Sequence, residues 1–241
     1  DRSWVNGVGL AMIEEIELKI GNQVIDTLTG EYIEINGELT TNASKTDGYN
    51  EMVGKLSTGF NTIDSEIHKN KMNLYIPLPF YFTKNIGLAL PLVSLYKHQI
   101  SFDIKFRSLS ECYITSDPSE PPLSNIDFFA SLYVEYVYLD NCERNYFASR
   151  THNFLIEQVQ VIEDTVSSNV AKHSIKTDFK HPIKELIWII KRDDVISSID
   201  VGNDIYGNDW FNFSTKLGIP NAIIQDTFDK VKIKLDNTDR S

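Results

Sequence analysis

The stretch from Leu74 to Phe106 constrains the fold of this chain more than any other. It opens with an apolar run that contains Pro77 and Pro79. Proline cannot donate a hydrogen bond to a sheet ladder, so this run is expected at a sheet edge or where a strand begins or bends. Later in the stretch, apolar and polar residues alternate, which is typical of a strand buried on one face. We expect its four apolar residues to face a common sandwich core: Ile100, Phe102, Ile104 and Phe106.

Other segments repeat the strand pattern and make the chain predominantly β. A hairpin is predicted where the alternating run Ile16–Ile20 turns at Gly21. Helical signals are short, and residues 30–39 fit either the end of a strand or a short helix. Asp140 can cap a short helix that runs through Phe147. Further strands are predicted at Val24–Asp26, Phe128–Leu139, Asn153–Val161, Leu186–Ile190 and Val231–Leu235.

The remaining segments are predicted to be loops. Residues 40–73 are polar, with room for a small helix around Tyr49–Leu56. Residues 115–125 contain three prolines and cannot continue a strand. Residues 193–216 are dense in Asp, Asn, Gly and Ser, which are ordinary turn formers.

Composition excludes several classes of partner and environment. Lys and Arg total 23 against 34 Asp and Glu, a formal net charge of -11. Such a chain lacks the clustered cations that neutralise phosphates, so direct binding to nucleic acid or anionic lipid is not expected.

Cys112 and Cys142 lie in different segments and form no CxxC pair, which favours a reduced compartment over a disulfide scaffold. No apolar run approaches the ~20 residues of a membrane span, and no signal peptide is visible.

No motif predicts an enzyme, a cofactor or a metal centre. None of the five histidines has a spacing that would place two imidazoles on one metal, and no nucleophile elbow, phosphate loop or dinucleotide fingerprint is present. The acidic residues between Asp193 and Asp209 could offer oxygen ligands to calcium, but they do not match EF-hand spacing, and a solvated loop is favoured. We therefore predict no catalytic, cofactor-binding or metal-binding residues.

Two weaker signals leave alternatives open. Asn42 and Asn212 each begin a glycosylation sequon, although such triplets arise more often by chance. Aromatic side chains could also stack on sugars, as in a lectin, although aromatics on strands more often belong to a core. The aromatics considered for such a platform are Tyr75, Phe80, Tyr81, Phe82, Tyr133, Tyr136 and Tyr138.

Four ordered segments resemble the major capsid proteins of the nucleocytoplasmic large DNA viruses. The first is WVNGVGLAMIEEIELKIGNQVIDTLTGEYIEINGELT, with its hairpin followed by a GE…ELT segment. The second combines the proline run with GLALP and the alternating strand. The third is VEYVYLDNCERNYFA followed by FLIEQVQ, and the fourth is TDFKHPIKELIWIIK with the later DNTDR turn. Together these segments cover nearly the whole chain.

The resemblance implies an all-β double jelly roll. Residues 1–162 would form most of a first jelly roll without its opening strands, 163–168 a linker, and 169–241 the beginning of a second. The implied role is structural: a subunit of trimeric, pseudo-hexagonal capsomers that contact other capsomers and minor capsid proteins. The implied location is the virion, after assembly in the host cytoplasm. Contact with an internal viral membrane would run through other proteins, and nucleic acid would not be bound directly.

A lectin-like glycan-binding sandwich is the alternative function, and a jelly-roll enzyme is disfavoured because its ligand spacing is missing. Because strands expected at both ends are absent, we expect this chain alone to be poorly soluble or monomeric and partly disordered. The homotrimer is expected once the ends are restored. The loops at residues 40–73 and 115–125 are then expected at one end of the barrel or at subunit contacts.

Overall fold

A computed structural model describes residues 2–55, 72–115, 123, 128–167, 170, 172–196, 199–201, 204–214, 227, 230–235 and 238–240. Within these residues the helices are short. They are α1 (Val8–Ala11), α2 (Gly30–Thr40), α3 (Thr46–Val53), α4 (Tyr81–Lys84), α5 (Asn141–Ser149) and α6 (Asp193–Ile196). The strands are β1 (Arg2–Trp4), β2 (Ile13–Ile20), β3 (Gln23–Thr29), β4 (Ile100–Phe106), β5 (Tyr113–Thr115), β6 (Ile199–Val201), β7 (Asp204–Tyr206), β8 (Ile233–Leu235) and β9 (Thr238–Arg240).

An antiparallel sheet in the order β3-β2-β4 forms the centre of the described structure. The β2–β3 hairpin confirms the sequence prediction, and its turn places Gly21 at a φ of 63°, which favours glycine. In the register, Leu18 lies between Asp26 of β3 and Phe102 of β4. The remaining strands of the described residues form three two-stranded ladders: β1-β5, β6-β7 and β8-β9.

The two faces of the central sheet differ in polarity because the side chains alternate along β2. Ile16 and Leu18 point to the inner face and are at most 1% exposed. Between them in the sequence, Glu17 lies on the outer face, where Lys19 bridges it and Asp103 at 2.7 and 2.6 Å. The alternation therefore places the apolar core on one side and charged residues on the other.

Helix α2 settles the open choice at residues 30–39 in favour of a helix. Thr29 caps it by accepting a hydrogen bond from the backbone N–H of Tyr32 at 3.2 Å. A Cβ atom on Gly30 would lie only 2.4 Å from the carbonyl oxygen of Leu10 and 2.6 Å from that of Ile13. Only glycine allows this approach, which packs α2 against the chain before β2.

Strand β4 confirms that a strand forms here, but only two of its four apolar residues are packed as predicted. Ile100 and Phe102 pack against the core, whereas Ile104 is 38% and Phe106 is 40% exposed. The expectation that all four residues face one core is therefore wrong for the last two. β4 is an edge strand of its sheet. The ring of Phe106 contacts the ring of Phe128, with 5.0 Å between the two ring centroids.

Three further predicted strands are not present as strands. Residues 128–139, 153–161 and 186–190 carry no regular secondary structure, and much of their apolar surface is exposed. The alternation of side chains selects a face for burial, but a strand also needs a neighbour to satisfy its backbone. These segments have no ladder partner among the described residues.

The helix after Asp140 is confirmed as α5, with a capping box between Asp140 and Glu143. The small helix expected near Tyr49 is α3, and β8 matches the predicted strand at residues 231–235.

Residues 163–167 are exposed and irregular, and the division of the chain around them stays a prediction. The loop expected at 115–125 lies outside the described residues except for Thr115 and Leu123.

Candidate assembly surfaces

A partly buried charge cluster joins helix α2 to the end of helix α3. Lys55 binds Glu34, which is 3% exposed, and also Glu38. Burial alone would lower the pKa of Lys55, but its hydrogen bonds to the two carboxylates outweigh this effect and raise it. Burial, followed by the charges of Glu34 and Glu38, raises the pKa of Tyr49 to about 12. Lys55 therefore stays charged at neutral pH, and its contacts with Glu34 and Glu38 hold the two helices together.

A cavity of about 200 Å³ opens beside this cluster. Helix α2 contributes Ile33 and Gly37, α3 contributes Tyr49, and the proline run contributes Pro77 and Pro79. A Cβ atom on Gly37 would lie 2.3 Å from the Tyr49 hydroxyl oxygen, so glycine is what lets the ring lie against α2. The proline run thus forms a cavity wall instead of a strand.

Helices α2 and α3 also carry acidic and apolar side chains at the protein surface. Glu38, Asp47 and Glu51 are exposed. Leu39 and Met52 are 62% and 38% exposed. The cavity is lined by other residues, and we call it the α2–α3 pocket.

A second surface carries aromatic and cationic side chains at the end of helix α5. Tyr146 is 49% exposed, and the guanidinium of Arg150 lies 4.4 Å from its ring centroid. The ring of His152 stacks on Phe147 with centroids 4.9 Å apart and continues to Phe154 at 6.4 Å. Five side chains thus form one contiguous group.

The turn at residues 91–98 packs against the same end of α5. Ser94 donates a hydrogen bond to the carbonyl oxygen of Phe147 at 2.7 Å. Two residues later Tyr96 is 76% exposed, with the Lys97 ammonium 5.4 Å from its ring centroid. We call Tyr96 and Lys97, together with Tyr146, Arg150 and His152, the cationic patch.

A third region joins residues 208–211 to the first half of the chain. The Arg107 guanidinium lies 4.0 Å from the ring centroid of Trp210, and the Trp210 indole donates to the carbonyl oxygen of Glu111 at 2.9 Å. Asn208 donates to the carbonyl oxygens of Ser110 and Tyr113 at 2.9 and 3.0 Å. Phe211 packs against the buried cluster of Val5, Val8, Ala11, Cys112 and Ile114.

Gln158 and Val159 cover the free edge of β3 through hydrogen bonds that involve side chains instead of a backbone ladder. Asp26 is 5% exposed and accepts the backbone N–H of Val159 at 2.9 Å. Desolvation raises the pKa of Asp26, although the hydrogen bonds from Val159 and Thr27 oppose this. Nearby, hydrogen bonds from Lys184 and Lys84 lower the pKa of Glu157. These contacts protect an edge that would otherwise be open to another strand.

The two sequons occupy different environments. Asn42 is exposed and caps a 3-10 turn at Ala43–Lys45, accepting the backbone N–H of Ser44 at 3.1 Å. Asn212 is 2% exposed, and its side-chain nitrogen, the atom that would carry a sugar, donates to Asp209 at 2.9 Å. Glycosylation at Asn42 and at Asn212 stays a prediction, and the Asn212 nitrogen is buried in the folded chain.

Residues considered for chemistry do not gather into a centre within the described part of the chain. No group of three or more His, Cys, Asp or Glu side chains there could hold a metal ion. Cys112 is buried, which raises its thiol pKa to about 11, while Cys142 is exposed, and both are free. No helix there is long and apolar enough to cross a membrane.

The aromatics considered for a glycan platform also separate. Phe80 and Tyr81 belong to the core at 1% and 6% exposure, and Phe82 stacks on Phe80 with centroids 5.6 Å apart. The other four lie in extended segments and are more than half exposed: Tyr75, Tyr133, Tyr136 and Tyr138.

Two family models match consecutive parts of the chain. Residues 1–140 match the major capsid protein N-terminus, and residues 143–241 match the large eukaryotic DNA virus major capsid protein. This chain belongs to the major capsid proteins of large DNA viruses. The resemblance in the four sequence segments is thereby confirmed.

Relatives of this capsid protein come from several giant viruses. It is 39% identical to capsid protein 1 of Acanthamoeba polyphaga mimivirus, over 78% of this chain and 33% of the relative. It is 31% identical to the major capsid protein of Phaeocystis pouchetii virus, over 91% of this chain and 49% of the relative. The chain thus spans a third to a half of the length of these two relatives.

Solved structures confirm the fold class. A quasi-atomic model of the PBCV-1 virus capsid matches with a TM-score of 0.51 and 26% identity, over 66% of this chain and 38% of that one. PBCV-1 VP54, fitted into a reconstruction of the virophage Sputnik, matches with a TM-score of 0.50. The capsid protein therefore has the all-β, double jelly-roll class expected from its sequence.

Sequence reasoning missed both the α2–α3 pocket and the cationic patch. The cationic patch had a signal in the sequence, because Arg144, Tyr146 and Arg150 cluster with aromatics in a chain that is otherwise acidic. The pocket had no such signal, because the residues that line it come from segments about 40 residues apart.

Proposed function

We propose that this capsid protein is the repeating subunit of trimeric, pseudo-hexagonal capsomers in the shell of a large icosahedral DNA virus. The observation that carries the proposal is the pair of capsid family models that cover residues 1–140 and 143–241. Exposed apolar segments on the isolated chain support it, since patches of that kind mark surfaces that other protein covers. Identical copies are the partners a closed shell requires.

The subunit is proposed to work through two jelly rolls, residues 1–162 and 169–241, joined by a linker at 163–168. Contacts from Trp210 and Asn208 to the first of these regions support a fixed arrangement. Two similar barrels per copy give a trimer a near-hexagonal outline, and that outline tiles a flat face.

The role is structural and involves no catalysis and no cofactor. A formal net charge of -11 also argues against direct contact with the genome, because phosphates repel such a surface. The partners are further capsomers and minor capsid proteins, and any contact with an internal membrane runs through other proteins. Assembly takes place in the host cytoplasm and the protein ends in the virion.

Mass spectrometry of purified virions tests this role. We expect peptides of this protein among the most abundant in intact particles, and we expect them to stay with the shell after gentle release of the genome. Absence from washed particles that contain other capsid proteins would contradict the proposal.

A further inference from the structure

Residues 191–196 and 208–212 form one hydrogen-bonded unit, which we call the arm. Two backbone hydrogen bonds of 2.9 and 3.0 Å join its two stretches, from Asp209 to Val195 and from Asn208 to Ile196. Lys191 lies in one stretch and Trp210 in the other. Contacts made by either residue therefore hold the same piece of the chain.

A single carboxylate oxygen of Glu31 binds both cations that lie beside Trp210. This oxygen, at the start of α2, lies 2.7 Å from the Arg107 guanidinium and 3.3 Å from the Lys191 ammonium. The two cations lie 4.0 and 5.3 Å from the ring centroid of Trp210. Because both bind the same oxygen, their nitrogens are at most about 6 Å apart, and all three charged side chains are at most 21% exposed. Like charges this close and this poorly hydrated repel strongly unless an anion neutralises them.

The arm also covers an apolar cluster of the first region. Trp210 and Phe211 pack against the buried cluster that contains Cys112. A Cβ atom on Gly7 would lie only 3.1 Å from the Phe211 ring, so this ring rests directly on the backbone. Cys112 is 5% exposed while the arm is in this position. An arm that moved away would open this cluster to solvent.

We infer that Glu31 is the central residue of an electrostatic latch that keeps the arm closed. Its charge offsets the repulsion between Arg107 and Lys191, so both cations can stay beside Trp210. Without this carboxylate the arm opens and Cys112 becomes accessible. The latch lies within one chain and does not depend on the capsomer. In the proposed subunit it fixes the arm on the first region before copies meet.

Alkylation of Cys112 measures how often the arm opens. The protein expressed from its complete reading frame is treated with N-ethylmaleimide, and peptide mass spectrometry gives the labelling rate at Cys112, with exposed Cys142 as the internal reference. Glu31→Gln should raise the rate at Cys112 by about tenfold or more, because it leaves two close cations without their anion. The matched control is Glu14→Gln, which removes an exposed ion pair with Lys105 on the central sheet and should leave the rate within about twofold.

Substitution of Lys191 separates repulsion from the simple loss of a contact. Glu31→Gln/Lys191→Met should return the rate to within about threefold of wild type, because Arg107 then has no cation beside it and still donates to the carbonyl oxygens of Ala11 and Ile13. Lys191→Met alone should also stay within about threefold, since Glu31 and Arg107 remain paired. Thermal melts give a second measurement, in which the double variant should melt above Glu31→Gln.

Fast labelling or a lower melting temperature in Glu31→Gln that Lys191→Met reverses supports the latch. Unchanged labelling in Glu31→Gln overturns it, as does a double variant that is no better than Glu31→Gln in either measurement. Neither result bears on the trimer, whose mass is measured separately.

Discussion

The guanidinium of Arg107 lies 4.0 Å from the ring centroid of Trp210, although the two residues are matched by different capsid family models. Arg107 is almost fully buried and donates hydrogen bonds to the carbonyl oxygens of Ala11 and Ile13 at 2.7 and 2.8 Å. It also forms an ion pair with Glu31 at 2.7 Å. A residue from the second region therefore completes the packing of the first.

Trp210→Ala should lower the free energy of unfolding by about 2–4 kcal/mol, because it removes a packed aromatic ring and leaves the buried Arg107 without its cation–π partner. Urea unfolding monitored by circular dichroism measures this loss. Trp188, 50% exposed, is the matched control, and Trp188→Ala should cost less than about 1 kcal/mol. Equal losses would show that Trp210 does not join the two regions.

Glycine positions give a second matched pair. Gly30→Ala should destabilise by about 1–3 kcal/mol, since its Cβ would meet two backbone carbonyl oxygens that cannot move independently. Gly48 lies inside α3, and an added Cβ there would have no neighbouring atom within 4 Å, so Gly48→Ala should stabilise by about 0.5–1 kcal/mol. Melting temperatures of the two variants should move in opposite directions. A stabilising Gly30→Ala would refute the close packing of α2.

The uneven burial of β4 gives a third prediction. Phe102 packs against Phe80 with ring centroids 5.7 Å apart, while Phe106 is 40% exposed. Phe102→Ala should cost about 3–4 kcal/mol and Phe106→Ala about 1–2 kcal/mol. Chemical denaturation of both variants measures the two losses of unfolding free energy. A larger loss at Phe106 would mean that the far end of β4 belongs to the core after all.

Much of the fold was readable from local signals in the sequence. Gly21 allowed the hairpin turn, Thr29 and Asp140 supplied helix caps, and the alternation in β4 marked a strand. The exposure of Ile104 and Phe106 was not readable, because alternation selects a face but does not state whether another layer covers it. The same limit applies to residues 128–139, where apolar residues have no ladder partner among the described residues.

The assembly surfaces were harder to predict for a related reason. Asn212 reads as a sequon, but only its tertiary contacts show that its nitrogen is committed to Asp209. Tyr49, Gly37 and Pro79 meet around one cavity although no short motif contains them. Long-range packing decides both the environment of Asn212 and the lining of the cavity. No local spacing in a single sequence shows that packing.

Asp26 gives a prediction about pH. Burial raises its pKa, so the folded protein binds this proton more tightly than the unfolded chain does. The stability that Asp26 contributes is therefore full below about pH 4 and is lost as the pH rises through the folded pKa.

Asp26→Asn retains an oxygen that can accept the N–H groups of Val159 and Thr27, and it does not ionise. Wild type should thus lose stability relative to Asp26→Asn between about pH 4 and pH 7. Urea unfolding of both proteins across that range measures the difference. A constant difference, or one that moves the other way, would contradict the assigned environment.

Sedimentation equilibrium on the protein expressed from its complete reading frame tests the central claim most directly. A capsomer subunit should give a mass three times that of one chain at micromolar concentration, and the mass should stay the same on further concentration because the ring is closed. A protein that remains monomeric at every concentration would contradict the capsomer account.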